Sequence, residues 1–363
     1  LGVQQDLVVT LEGSYNFAWD TVFHSEGRIT DTGYTVEVAI PFRSLRFDPT
    51  SHRPWRILLK RKFTAKDEYV AFPAIKRDDG NELLQYDELV MDPPKTSGVG
   101  IELLPSVVGR TGWDRDGEDL THRPFTFPGA VDPSFGFKWQ PTPALTLDAT
   151  LNPDFSQVEA DPNQVDNNLR FALFLPEQRP FFLEGAELYE SHLLYTRSIR
   201  DPIYGVKFSG KAGPVGIGIL HALDETPASS FVGERETPGF TDEALDGTLA
   251  FNTMGGAKID IGRRNRLSVY YADKEVVRPV EGEPAEHVAV YRGGHASLRL
   301  GVGDVTTVNL DAGVSHAGAA DGDRLTGGRF AIKVERSTRT TGFGADAGLI
   351  TPDYRTEMGF LTT

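Results

Sequence analysis

One run, Leu151 to Gly185, concentrates the side chains of this sequence that could do chemistry. Its first half carries Asn152, Asp154, Glu159, Asp161, Asn163 and Asp166; its second carries Glu177, Arg179 and Glu184 among Phe and Pro. Two reactions suit such residues. Glycoside hydrolysis takes two carboxyl groups roughly 5–10 Å apart, one protonated and one ionised. Glu177 and Glu184 are the candidates, with Arg179 able to set their charge. Paired acids beside an arginine also serve as a plain structural ion network. The second chemistry is calcium coordination, which needs clustered hard oxygen ligands. Asp154, Glu159, Asp161, Asn163 and Asp166 supply them, although no Gly or closing Glu falls where an EF-hand loop demands it. The same side chains can instead cap turns by bonding backbone N–H groups. No other cofactor is expected.

Other chemistries are absent from the sequence. It has no Cys, which removes disulfides, thiolate metal sites and thiol nucleophiles together. No GxSxG, HExxH or glycine-rich phosphate loop occurs. A formal charge of -15 argues against nucleic acid as a partner, because neutralising phosphates takes concentrated Lys and Arg. On balance these candidates leave an enzyme undecided and lean away from one; if it is an enzyme, a glycoside hydrolase is expected.

The elements that must hold this run are strands. After it, alternation of period 2 persists to the end. Val308, Leu310, Ala312 and Val314 oppose Asn309, Asp311, Gly313 and Ser315; Phe330, Ile332 and Val334 oppose Arg329, Ala331, Lys333 and Glu335. Before it, Phe135, Phe137 and Trp139 share a face, as do Leu145, Leu147, Ala149 and Leu151. Strands of about 8–12 residues joined by short turns at one end and longer polar loops at the other suit an outer-membrane barrel. A soluble barrel or sandwich has the same period. Two details favour lipid. The polar face bears charges in mid-strand, at Lys258, Asp260, Arg299, Asp311, Lys333 and Asp346, as a wet lumen permits. Tyr270, Tyr271, Tyr291, Tyr354 and Phe360 near strand ends match an interfacial girdle. About eleven strands are visible in the pattern. The run 152–200 then reads as an ordered insert: a plug, or a constriction on the periplasmic side.

Residues 1–98 carry shorter strands. Arg28 to Tyr34 reads as strand, turn, strand, and Val36, Val38 and Ile40 face one way. A compact β-sandwich is expected there. Trp19, Tyr34, Trp55 and Tyr69 are its candidate sugar platforms, since flat aromatics suit the apolar face of a sugar. Large aromatics are also the residues a sandwich core buries. No apolar run is long enough for a membrane helix. Leu1 in place of Met, and an end at Thr363 close behind a strand, read as a piece of a longer protein.

Three stretches are distinctive: DATLNPDFSQVEADPNQV, LPEQRPFFLEG and LLYTRSIRDPIYGVKFSG. With WDTVFHSEGRITDTGYTVEVAIPFRSLRF near the start, they resemble a bacterial envelope family of two parts. The first part is similar to family 9 carbohydrate-binding modules. The second is a domain of unknown function (5916) that looks like an outer-membrane β-barrel. The resemblance implies an all-β chain. Residues 1–98 would be an N-terminally truncated β-sandwich in the periplasm. Residues 99–363 would be a C-terminally truncated antiparallel barrel, with the insert 152–200. It implies outer-membrane lipid and an oligo- or polysaccharide as partners, with the barrel as anchor or channel. Two alternatives stand beside it: an envelope glycoside hydrolase using acids of the insert, and a structural anchor whose sandwich docks a protein.

Overall fold

The computed structural model describes residues 4–9, 15–16, 23–42, 45, 47, 54–64, 66–76, 82–91, 100–109, 131–142, 144–155, 177–189, 191–227, 237–338 and 340–359. The chain is all-β in class. Its N-terminal part holds four antiparallel pairs: β1 (Val8–Val9) with β2 (Tyr15–Asn16), β3 (His24–Thr30) with β4 (Gly33–Ala39), β5 (Trp55–Ile57) with β8 (Asp87–Leu89), and β6 (Leu59–Phe63) with β7 (Glu68–Phe72). The 28–34 hairpin is where alternation puts it, closed by the pair Thr30 and Gly33. A sandwich core is not assembled among the described residues. None before Ala144 is buried, and Val36, Val38 and Ile40 are exposed. Two-stranded pairs present no opposing sheet for an apolar row to pack on.

Among the described residues, the remainder is one antiparallel meander of eleven strands in chain order. They are β9 (Gly100–Gly109), β10 (Val131–Thr142), β11 (Leu145–Leu151), β12 (Pro202–Ala212), β13 (Val215–Asp224), β14 (Leu249–Ile261), β15 (Asn265–Arg278), β16 (Glu286–Val302), β17 (Thr306–Ala319), β18 (Arg324–Ser337) and β19 (Gly342–Ile350). Several exceed the expected length, because regular pairing runs into the loops; the connection expected over 274–290 shrinks to 279–285. Short turns at 213–214, 262–264 and 303–305 share one end of the sheet. Gly262 (φ 71°) and Gly303 (φ 62°) take the left-handed backbone that such turns require.

Strand register sorts the side chains into rows. Val215, Ile259, Leu267, Leu298, Leu310, Ile332 and Ala347 are successive cross-strand partners, seven apolar residues in line on one face. On the opposite face the partners run Asp260, Arg266, Arg299, Asn309, Lys333, Asp346. The apolar face is the open one: Val314 is 64% exposed, Phe330 51% and Leu349 70%. The polar face, which we call inner, is covered in part: toward the short turns and on β18 and β19 it is open, with Lys333 and Asp346 exposed. Lys207, Ser209 and Asn252 are buried on it, beneath residues 177–199 and 354–359. The core is therefore the space between the inner face and these two segments. It centres on Phe182, Tyr189, Leu193, Ile199, Met254, Tyr291 and Met358.

Candidate functional site

The insert leaves β11 at the end opposite the short turns and returns to β12 at that same end. It dips along the inner face from the loop side. Asn152 sets the exit: it has a positive φ of 43°, and its side-chain amide donates to the Pro133 carbonyl at 2.9 Å. The Pro-rich stretch does not only break helix. Pro180 opens a helical turn, α1 (Pro180–Leu183), at the position where a missing N–H costs nothing.

Glycines on the inner face let the insert lie close. A Cβ on Gly218 would stand 2.9 Å from the side chains of Leu188 and Tyr189. One on Gly256, its partner across the strands, would strike the Leu188 carbonyl oxygen and stand 2.9 Å from Tyr189 Cα. Tyr189 is buried on this seat and donates its hydroxyl to the Phe182 carbonyl at 2.8 Å. Gly205 makes the same kind of room for Phe181. These positions sit on the polar side of the alternation, where a side chain would be tolerated were nothing inside.

An ion network locks the insert to itself. Arg179, buried, bonds Glu177 through Nε and Nη2, each at 2.8 Å, and donates to the carbonyls of Ile199 (2.6 Å) and Thr196 (2.9 Å). Its guanidinium lies over the Phe182 ring at 4.1 Å. Thr196 Oγ1 donates to Glu177 at 2.6 Å. Burial pushes the Glu177 carboxyl up, but the Arg179 and Thr196 bonds outweigh it and hold the group below the usual carboxylate range. Such a group accepts bonds and does not deliver a proton. Glu184 faces elsewhere, paired with Lys138 of β10 at 2.7 Å. The two acids are thus held by different partners, Arg179 and Thr196 for Glu177 and Lys138 for Glu184, and those bonds are of the kind a structural ion network makes.

Further charges tie the insert to the wall. Lys207 of β12 donates to the Phe181 carbonyl and pairs with Asp148 of β11 at 3.2 Å. On the other side of the insert, His192 lies against the His295 ring, with 4.3 Å between centroids, and shares a 3.0 Å bond with the Tyr354 hydroxyl. His295 in turn bonds Asp311 of β17 at 3.2 Å. Burial, then the neighbouring His295 and Arg329, pull the His192 imidazole down to about 3, so it is neutral there. The segment 354–359 closes over it. Tyr195 N donates to the Met358 carbonyl at 2.6 Å, and Glu357, fully buried, accepts from Thr237 and lies in the field of Lys274.

The structure places the remaining candidates as follows. Asp260 pairs with Arg266 (2.8 Å) and Lys211 (3.8 Å), and Lys333 pairs with Glu335 (2.7 Å). Arg299 and Asp346 stand in the inner charged row; Lys258 stands one step further inside, across from Ser268. Tyr34 and Tyr69 are exposed on neighbouring hairpins, with Arg61 over one ring and Lys62 over the other. Trp55 packs edge-on against Phe42 and Phe47. Asp154 is the described member of the calcium set; Glu159, Asp161, Asn163, Asp166 and the aromatic Trp19 lie outside the described residues. The tyrosine girdle needs correction. Tyr271 alone of the four described tyrosines faces outward, while Tyr270, Tyr291 and Tyr354 are buried on the inner side. Adjacent residues of a strand point to opposite faces, so Tyr270 and Tyr271 could never share one. Sequence reasoning missed Lys207, Lys138, His192 and His295. Their signal was only their inward parity, which does not say what lies opposite.

Comparison with known proteins adds one family and one structure. Residues 130–213 match the family described as domain of unknown function (DUF5916). No curated protein matches. A solved structure that the chain is similar to is OmpT (in-vitro folded), an outer membrane protein of Vibrio cholerae in its trimer form. The identity is 11%, the TM-score 0.29, and the match covers 73% of this chain and 93% of that one.

Proposed function

We propose that this chain is an outer-membrane protein whose eleven strands form barrel wall around a seated plug, with a charged vestibule left at the short-turn end. The observation that carries the reading is the segregation of rows: apolar residues line one face, while the charged row and the plug lie on the other. A soluble β-protein turns its apolar face inward. On β16 the outward positions stay apolar or glycine from Gly294 to Val302, roughly 27 Å along the strand and on the order of 20 Å of height at a barrel tilt. Arg292 then ends the stretch, bonded to Asp273 of β15 at 3.0 Å. That height is near the apolar band of about 25 Å that outer-membrane barrels present. The tight seat of the insert supports a closed or gated passage over an open pore.

β9 starts at the short-turn end, where Gly100 lies across from Gln140, and Leu84 lines the cavity there, which supports a periplasmic N-terminal part on this proposal. There the exposed Tyr34 and Tyr69, each with a cation beside its ring, are the surfaces on which a glycan would stack. Membrane fractionation tests the main reading. The protein should sediment with the outer membrane, need detergent for extraction and shift in gel mobility on heating. Recovery as a detergent-free soluble monomer would end it. Glycan-array binding by the intact protein, lost in Tyr34→Ala with Tyr69→Ala, tests the finer one.

A further inference from the structure

A cavity of about 540 Å³ opens at the short-turn end of the sheet, around the strand ends and turns, with Leu84 of the N-terminal part also lining it. Arg263, Arg264, Arg266, Arg299 and Arg336 all line it. Such a concentration is unlike the rest of a chain with a formal charge of -15. Acids nearby answer only part of it. Asp304 pairs with Arg264 at 3.1 Å and Asp260 with Arg266 at 2.8 Å, while Glu335, also in the lining, pairs with Lys333 at 2.7 Å. Among the described residues no acid pairs with Arg263, Arg299 or Arg336. Arg264 is built in. It also donates to the Gly303 carbonyl at 2.9 Å, and its side chain fills the space a Cβ on Gly301 would need. Between the arginines stand the hydroxyl-bearing Thr306, Thr307 and Ser337.

We infer that this cavity binds a small polyhydroxyl anion, a sugar carrying a phosphate or carboxylate group. Guanidinium forks recognise both oxyanions in the same bidentate way, which is why the two are taken together. The volume lies within the range of small-molecule sites, about 300–1,000 Å³. Hydroxyls around the forks suit a sugar ring better than a bare ion. The inference deepens the proposed function by naming the solute class of the vestibule. It rests on that reading for passage only, and not for binding.

The test is calorimetric titration of the purified full chain in detergent with glucose 6-phosphate, glucuronate and glucose. Either anion or both should bind at least about tenfold more tightly than glucose, and the tighter of the two names the source of the oxyanion. Arg299→Gln with Arg336→Gln should weaken anion binding about tenfold or more. Arg263→Gln, at an exposed turn where folding is not at stake, should weaken it several-fold; Arg292→Gln, on the outer face, should leave it unchanged. Equal binding of glucose and the anions would overturn the inference, as would unaltered binding in both vestibule variants. Recovery of the chain as a soluble, detergent-free protein that still shows this pattern would remove the membrane reading and leave the anion site standing.

Discussion

Gly255 and Gly256 are neighbours on β14 that look to opposite faces, and they offer a controlled perturbation of the plug. A methyl group at Gly256 meets the carbonyl oxygen of Leu188, Tyr189 Cα at 2.9 Å and the Tyr270 ring at 3.0 Å. Two of these are backbone atoms of the insert, which no rotamer change can move. A methyl group at Gly255 meets nothing nearer than 3.8 Å. Overpacking a close-packed contact costs about 1–3 kcal/mol. Paid as local displacement of the insert, that is a factor of about 5–150 in the ratio of unseated to seated plug. Limited proteolysis of the folded protein in detergent reads this ratio through cleavage near Leu188, because cleavage follows the open population when opening is fast. Gly256→Ala should be cut faster by a factor in that range, and Gly255→Ala should match the parent. In planar bilayers the first variant should also conduct more often. Equal proteolysis of the two would refute the idea that the glycine seat holds the plug.

Other expectations follow from the same geometry. Arg179→Ala strands the Glu177 carboxylate and two carbonyls in a buried site and should destabilise the protein by about 3–5 kcal/mol in a denaturant titration. His192 has its imidazole held at about 3, below the ordinary value, so the neutral form belongs to the folded state. Its contribution is full above roughly pH 6.5 and lost on acidification toward pH 3, by at most about 1.4 kcal/mol per pH unit. Denaturation midpoints measured from pH 7 to pH 4 should fall, and His192→Gln should flatten that part of the fall. Leu310→Arg puts a charge on the outer apolar row and should cost about 2–4 kcal/mol in folding into lipid vesicles. The same substitution in a chain that needs no lipid would cost little.

What the sequence alone determined is the wall. Period-2 alternation is local, and in a meander each strand pairs with its chain neighbour. Reading Leu310 against Asp311 therefore sets two faces, and the same parity carries from strand to strand through short turns. About eleven strands were legible for that reason, and the sheet has eleven among the described residues. Which residues meet inside was not. Glu357 and Thr237 are 120 positions apart, and His192 and Tyr354 are 162. No periodic signal spans such distances. Only the tertiary structure turns Glu177 from a candidate acid into the partner of Arg179, seats Tyr189 on two glycines, and gathers arginines from several strands and turns around one cavity. The physical reason is that alternation reports whether a side chain leaves water, while the group it then meets depends on how the insert folds back.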